Sequence, residues 1–299
     1  MSPDSPIVVL DSGLGGLTVV RALRSALPAE QILYFGDTAR LPYGSKTAAT
    51  VTTFVHQIIE FLRIYDPKHV VIACNTATAL ALGPTRAAFP EIPISGVIEP
   101  GAKAAVAAAG SKAIPIIGVI ATEATIRSKA YERAIYHRRS RVRLLLRPTP
   151  LLVPIIEEGR RENDPLVRLA LRQYLEPMIK VGLDVLVLGC THYPILRPAI
   201  EATAGASVRV IDSAEQCAQD VAARLQARGM KRPDGPLSPT AIPTDPPGGL
   251  RTFVTDDPLR FRKLASRFLG IEIDLPTWVA PDELYRPRPL EPARLIVPA

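Results

Sequence analysis

The chain has 299 residues and a formal net charge of +7, with 47% hydrophobic and 22% charged residues. That composition supports one or two ordinary cores and excludes global disorder. No uninterrupted apolar run approaches the ~18 residues needed to span a bilayer, which excludes a helical anchor.

The N-terminus, MSPDSPIVVLDSG, has no basic n-region, so no secretory leader is expected. Eight short Val/Ile/Leu runs then follow in order: Ile7–Leu10, Ile32–Phe35, His69–Ala73, Ile94–Ile98, Ile116–Ile120, Val142–Leu146, Asp184–Leu188 and Val208–Ile211. Each precedes a helix-like stretch. Continuous apolar runs of this length at such spacing predict buried parallel strands with crossover helices, so the fold class is α/β. A weak internal repeat runs through the series. HVVIACNTATA aligns with DVLVLGCTHYP, setting Cys74 over Cys190, and PIVVLDSGLGGL resembles PIIGVIATEATI. A further strand follows each cysteine and leads to an acid, Glu99 in VIEPG and Asp212 in VIDSA.

The segment from Arg127 to Arg147 holds eight Lys/Arg against a single acid, Glu132, and so accounts for the whole charge excess. It offers Tyr131 and Tyr136 but no nucleic-acid signature, and reads as a solvated face rather than a polyanion-binding surface. Residues 231–250 hold six prolines and three glycines, which predicts an extended connector. RTFVTDDPLRFRKLASRFLG then predicts a strand, a capping turn and a helix ending at Gly270. From about residue 281 the chain is again Pro-rich and reads as a surface tail.

In an α/β protein, ligands bind at the C-terminal edge of the parallel strands. Four polar clusters fall there: Asp11-Ser12-Gly13, Pro42-Tyr43-Gly44, Cys74-Asn75-Thr76 and Cys190-Thr191-His192. Gly13, Gly15 and Gly16 would open the first helix with backbone N–H groups free for a carboxylate, although they match neither GxGxxG nor a P-loop. The three cysteines, Cys74, Cys190 and Cys217, are too few and scattered for a disulfide framework, and a reducing compartment is the default. A lone cysteine at a strand end is ordinarily a small core residue. Two at matching places, each followed by hydroxyl or amide side chains, suit a reaction that needs an acid and a base on opposite faces of one carbon. Cys217 lies on an amphipathic helix and reads as structural. A zinc site on Cys190 and His192 lacks the usual ligand spacing. A Cys–His hydrolase would leave Cys74 unexplained.

At these residues the sequence resembles the glutamate racemases of the cofactor-independent Asp/Glu racemase superfamily. The matching motifs are LDSGLGGLTV, GDTARLPYGSK, ACNTATA, IEPG, TEATIRSKAY, VPIIEEG, GCTHYP and VIDSA, spanning about residues 7 to 270. The resemblance implies that Cys74 and Cys190 are the two acid/base thiols. It implies that Asp11, Ser12, Tyr43, Gly44, Asn75, Thr76, Thr191 and His192 bind the amino acid, and that Asp11, Glu157 and His192 assist the thiols. Where many relatives carry a cysteine ahead of LVP, this chain has Thr149, to which no catalytic part is assigned.

Two pseudo-symmetric parallel-sheet domains follow as the expected architecture, residues 1–98 with 212–299 and residues 99–211, with the active site in the cleft between them. The expected activity is interconversion of L- and D-glutamate without pyridoxal phosphate or metal, supplying D-glutamate for peptidoglycan. The setting is the cytoplasm, the assembly a homodimer, and neither membrane nor nucleic acid is a partner. The alternatives are an aspartate or broader amino-acid racemase of the same superfamily, or a polyanion-binding protein on a racemase-like scaffold.

Overall fold

The computed structural model describes residues 1–233 and 249–285; most of the Pro-rich stretch 231–250 and the tail beyond 285 therefore lie outside the described residues. Among the described residues there are ten strands: β1 Ile7–Asp11, β2 Ile32–Gly36, β3 His69–Ile72, β4 Ile94–Gly96, β5 Ile116–Ala121, β6 Arg143–Pro148, β7 Val185–Gly189, β8 Arg209–Asp212, β9 Leu250–Val254 and β10 Thr277–Trp278. They form two sheets, one in the order β10-β9-β2-β1-β3-β4 and one in the order β6-β5-β7-β8. Every pairing is parallel. The mixed α/β class expected from the apolar runs is the one observed.

The runs at the centre of each sheet take this form because both of their faces are covered, so a strand there needs no polar side; β6 and β8, at the edges of the second sheet, are only partly buried. All five residues of β1 and all five of β7 are buried. β4 stops at Gly96, short of the expected Ile98, because Val97 already has helical backbone and starts the helix Ile98–Ala108. Glu99 consequently falls in that helix's first turn, where its carboxylate meets Arg138 at 2.5 Å. Asp212 ends β8 and accepts from Arg197 at 2.7 Å. The two acids of the internal repeat therefore have different surroundings, and neither borders the main cavity.

One hydrophobic cluster runs beneath both sheets. It joins Ile7 and Val9 of β1 to Leu186 and Leu188 of β7 through the helices Leu17–Ala26 and Ala214–Ala227. Cys217 is fully buried within it as a free thiol, in agreement with a structural part.

Candidate active site

The C-terminal ends of both sheets open on one cavity of about 340 Å³. β3 runs into Ala73 and Cys74, and Cys74 keeps extended backbone before the helix Asn75–Ala88 begins. The chain turn there puts Cys74 Sγ 3.5 Å from the donating N–H of Ala77 and 3.6 Å from Ser12 Oγ. β7 runs into Cys190 in the same way, and a short 3₁₀ turn, Tyr193–Leu196, follows His192. Nδ1 of His192 faces Cys190 Sγ at 3.8 Å, and its Nε2 lies 2.9 Å from Oε1 of Glu157. The ring of Phe268 meets the imidazole edge-on, with centroids 5.8 Å apart, and fixes its plane.

Ser12, Tyr43, Gly44, Cys74, Asn75, Thr76, Glu157, Cys190, Thr191 and His192 all line this cavity. Asp11 does not; it is buried beneath, accepting from the Gly13 N–H at 2.9 Å and from Thr191 Oγ1 at 3.3 Å. Asn75 accepts from the Tyr131 hydroxyl at 2.7 Å, while its buried Nδ2 has no partner. A buried amide donor left free beside a cavity is costly unless a ligand takes it. Tyr43 is held by its hydroxyl, which donates to Asp37 at 2.5 Å. Asp37 in turn accepts from Arg40 Nε at 2.7 Å and from Thr255 Oγ1 at 3.0 Å, so the loop after β9 braces this wall.

The glycine loop does something other than expected. Gly13, Gly15 and Gly16 do not border the cavity. A Cβ on Gly15 would run into Thr191 Oγ1 and stand 2.6 Å from His192 Nδ1, and one on Gly16 would stand 2.6 Å from Asp11 Cβ. Gly15 lets the loop after β1 approach Thr191 and His192 closely, while Gly16 lets it pack against Asp11 and Ala73.

Charge separates the two thiols. Burial, reinforced by the Asp11 carboxylate, pushes Cys74 up to about 12. Burial also pushes Asp11 up, against the pull of His192. Burial alone would lower His192, but its contacts with Cys190 and Glu157 outweigh this and hold the imidazole at about 10. A protonated ring therefore sits beside Cys190, whereas Cys74 has only a hydroxyl and a backbone N–H.

Several lining residues were not singled out from sequence: Leu41, Ser45, Thr122, Glu123, Pro150, Val153 and Pro154. Thr122 and Thr125, inside the TEATIRSKAY motif, form a ring of hydroxyls with Thr76 at 2.9 and 3.2 Å. Thr149 also lines the cavity, its Oγ1 2.6 Å from the Tyr193 hydroxyl. Among the described residues no three His, Cys, Asp or Glu side chains converge as a metal site, and no helix is long and apolar enough to cross a membrane. The basic segment spends part of its charge internally: Arg139 donates to the Gly110 carbonyl at 2.8 Å, and Arg133 to that of Ser128 at 2.8 Å.

Residues 7–221 match the family described as Asp/Glu/hydantoin racemase. The chain is 44% identical over 265 residues to a glutamate racemase of Neisseria meningitidis, covering 89% of this chain and 93% of that one. It is 43% identical over 274 residues to a glutamate racemase of Chlorobaculum tepidum, covering 91% and 95%. Among solved structures it is similar to the glutamate racemase of Francisella tularensis in complex with D-glutamate, with a TM-score of 0.81, 36% identity and coverage of 93% and 98%. The glutamate racemase of Thermus thermophilus in complex with β-chloro-D-alanine gives a TM-score of 0.77 at 42% identity, covering 95% and 100%.

Proposed function

The chain belongs to the Asp/Glu/hydantoin racemase family, and from that premise we propose that it interconverts L- and D-glutamate by proton transfer between two cysteines. The observation that carries the reading is a pair of free thiols, Cys74 and Cys190, leaving the ends of two different sheets to line one cavity. One thiolate removes the Cα proton from one face, and the other thiol delivers a proton to the opposite face. The roles exchange with direction. In the resting form Cys74 is the acid, since burial keeps it protonated.

The Cα–H of an amino acid is far less acidic than a thiol, so the protein must stabilise carbanion character without an electron sink. Donors fixed around the substrate carboxylate supply that in a cleft that excludes water. The free Nδ2 of Asn75 and the hydroxyls of Ser12 and Thr76 are of the right kind. Asp11 holds Thr191 in place from below, and Glu157 orients His192 beside Cys190.

The reading extends to a homodimeric, cytoplasmic enzyme that supplies D-glutamate to peptidoglycan synthesis, in line with the family resemblance. Incubation with L-glutamate in D₂O, with EDTA and no added cofactor, tests it. Optical rotation should fall to zero while Cα gains deuterium. Faster turnover of L-aspartate in a parallel assay would move the substrate assignment. Retained rotation of both amino acids would overturn the reading.

A further inference from the structure

We propose that Glu157 conducts protons between Cys190 and solvent through a second cavity behind the active site, so that the two thiols exchange with water at unequal rates. This rests on the two-thiol reading above. The second cavity, of about 170 Å³, is separate from the main one and is bounded by Leu14, Thr38, Asp256, Arg260 and Leu264. Glu157 borders both cavities. Its side chain is 21% exposed, whereas that of His192 is 5% exposed, so solvent meets the dyad at the carboxylate. A space of that size, with carboxylate and guanidinium groups on its wall, readily holds ordered water.

The transfer runs through atoms already in line. Once Cys190 carries the substrate's hydrogen it no longer helps to hold the imidazole protonated; from the neutral ring, with hydrogen on Nε2 alone, the S–H bond of Cys190 breaks as Nδ1 of His192, 3.8 Å away, takes the proton. The Nε2–H bond breaks as Oε1 of Glu157, 2.9 Å away, takes the next. Glu157 then releases one proton to water, and the reverse sequence returns it. Among the described residues nothing comparable leads away from Cys74. Its neighbours are Ser12 and the Ala77 N–H. Behind them Asp11 is 1% exposed, with its oxygens engaged by Gly13 and Thr191. Neither Cys74, Ser12 nor Asp11 borders the second cavity. With substrate filling the cleft, a proton taken by Cys74 is held until it returns, while one taken by Cys190 can wash out.

Each enantiomer is turned over in D₂O, stopped before one-tenth conversion, and the unconverted substrate is recovered and assayed for Cα deuterium. One enantiomer should carry several-fold more label than the other. Leu264→Trp, which narrows the second cavity without bordering the first, should reduce that excess several-fold and leave kcat within about twofold. Leu264→Ala, which widens it, should raise the excess, and carries the test if the tryptophan variant does not fold. Equal labelling of the two recovered enantiomers, or labelling that ignores the Leu264 variants while racemisation proceeds, overturns the proton route alone. Absence of racemisation by the unmodified protein overturns the functional reading and the route together.

Discussion

Thr76 and His192 each stand two residues beyond a cavity cysteine, yet their partners differ in kind. Thr76 Oγ1 lies 2.9 Å from the Thr122 hydroxyl and 3.2 Å from that of Thr125. His192 instead links Cys190 to a carboxylate. The pseudo-symmetry of the strands does not reach the proton chemistry, and the expected outcomes below turn on that inequality.

His192→Asn should slow the two directions unequally in their chemical steps, because only the Cys190 side loses its proton partner. The equilibrium constant between enantiomers is fixed at unity, so the asymmetry must appear as compensating changes in kcat and KM. Primary deuterium isotope effects measured from each enantiomer report it. Unchanged isotope effects and unchanged kcat in both directions would assign the ring a packing part only.

Cys74→Ser and Cys190→Ser should each abolish racemisation, with losses at or beyond the ~10²–10⁴-fold range of general acid–base groups. Each thiol is base in one direction and acid in the other, so neither variant can complete a turnover. Near-normal turnover by either single variant would contradict the two-thiol mechanism.

Alkylation should distinguish the thiols. With Cys74 held at about 12, only about one molecule in ten thousand carries that thiolate at pH 8. Peptide mass spectrometry should find Cys190 modified first, with the Cys74 rate rising about tenfold per pH unit to beyond pH 10. Equal rates at pH 8 would argue against the difference in charge surroundings between the two thiols.

Stability should also follow the imidazole. His192 is held at about 10 in the folded chain, against ~6.5 when unfolded, so folding tightens its hold on the proton. That stabilisation is complete below about pH 6.5, shrinks as pH climbs, and is gone above about pH 10. The melting temperatures of the unmodified chain and Glu157→Gln should differ most near pH 6, by roughly 2–4 °C for each kcal/mol lost, and converge by pH 10. A gap that does not narrow with pH would count against the Glu157–His192 charge pair.

Gly15→Ala should inactivate the protein while leaving most of the fold intact. The added methyl meets Thr191 Oγ1 and stands 2.6 Å from His192 Nδ1, both in the cavity wall. Overpacking of this kind costs about 1–3 kcal/mol. Circular dichroism and activity measured together check it; full activity would mean that the loop moves aside freely.

Much of this was legible in the sequence because parallel strands covered on both faces are written as unbroken apolar runs. β1 and β7 need no polar face, and so IVVL and VLVL announce themselves. β10 gave no such signal: it is two residues long, both exposed, and pairs with β9 at the edge of the sheet. The site residues at strand ends were visible as polar clusters following apolar runs. Thr122 and Leu41 were not, since each is an ordinary loop residue whose part depends on which walls the fold brings together. The glycines misled for a related reason: a helix start rich in glycine suggests an anion cradle, and only the tertiary contact with His192 reveals close packing instead.

The pairing of β9 with β2 bears on how the protein is made. β2 gains its second neighbour only from Leu250–Val254, about two hundred residues further along the chain, whereas the β6-β5-β7-β8 sheet draws on residues 116–212 alone. A nascent chain leaving the ribosome thus completes its four-stranded sheet while one edge of the six-stranded sheet still stands open. That edge, the fully buried sequence ILYFG in the finished protein, is what a holdase chaperone would have to shield from other chains until synthesis passes residue 254.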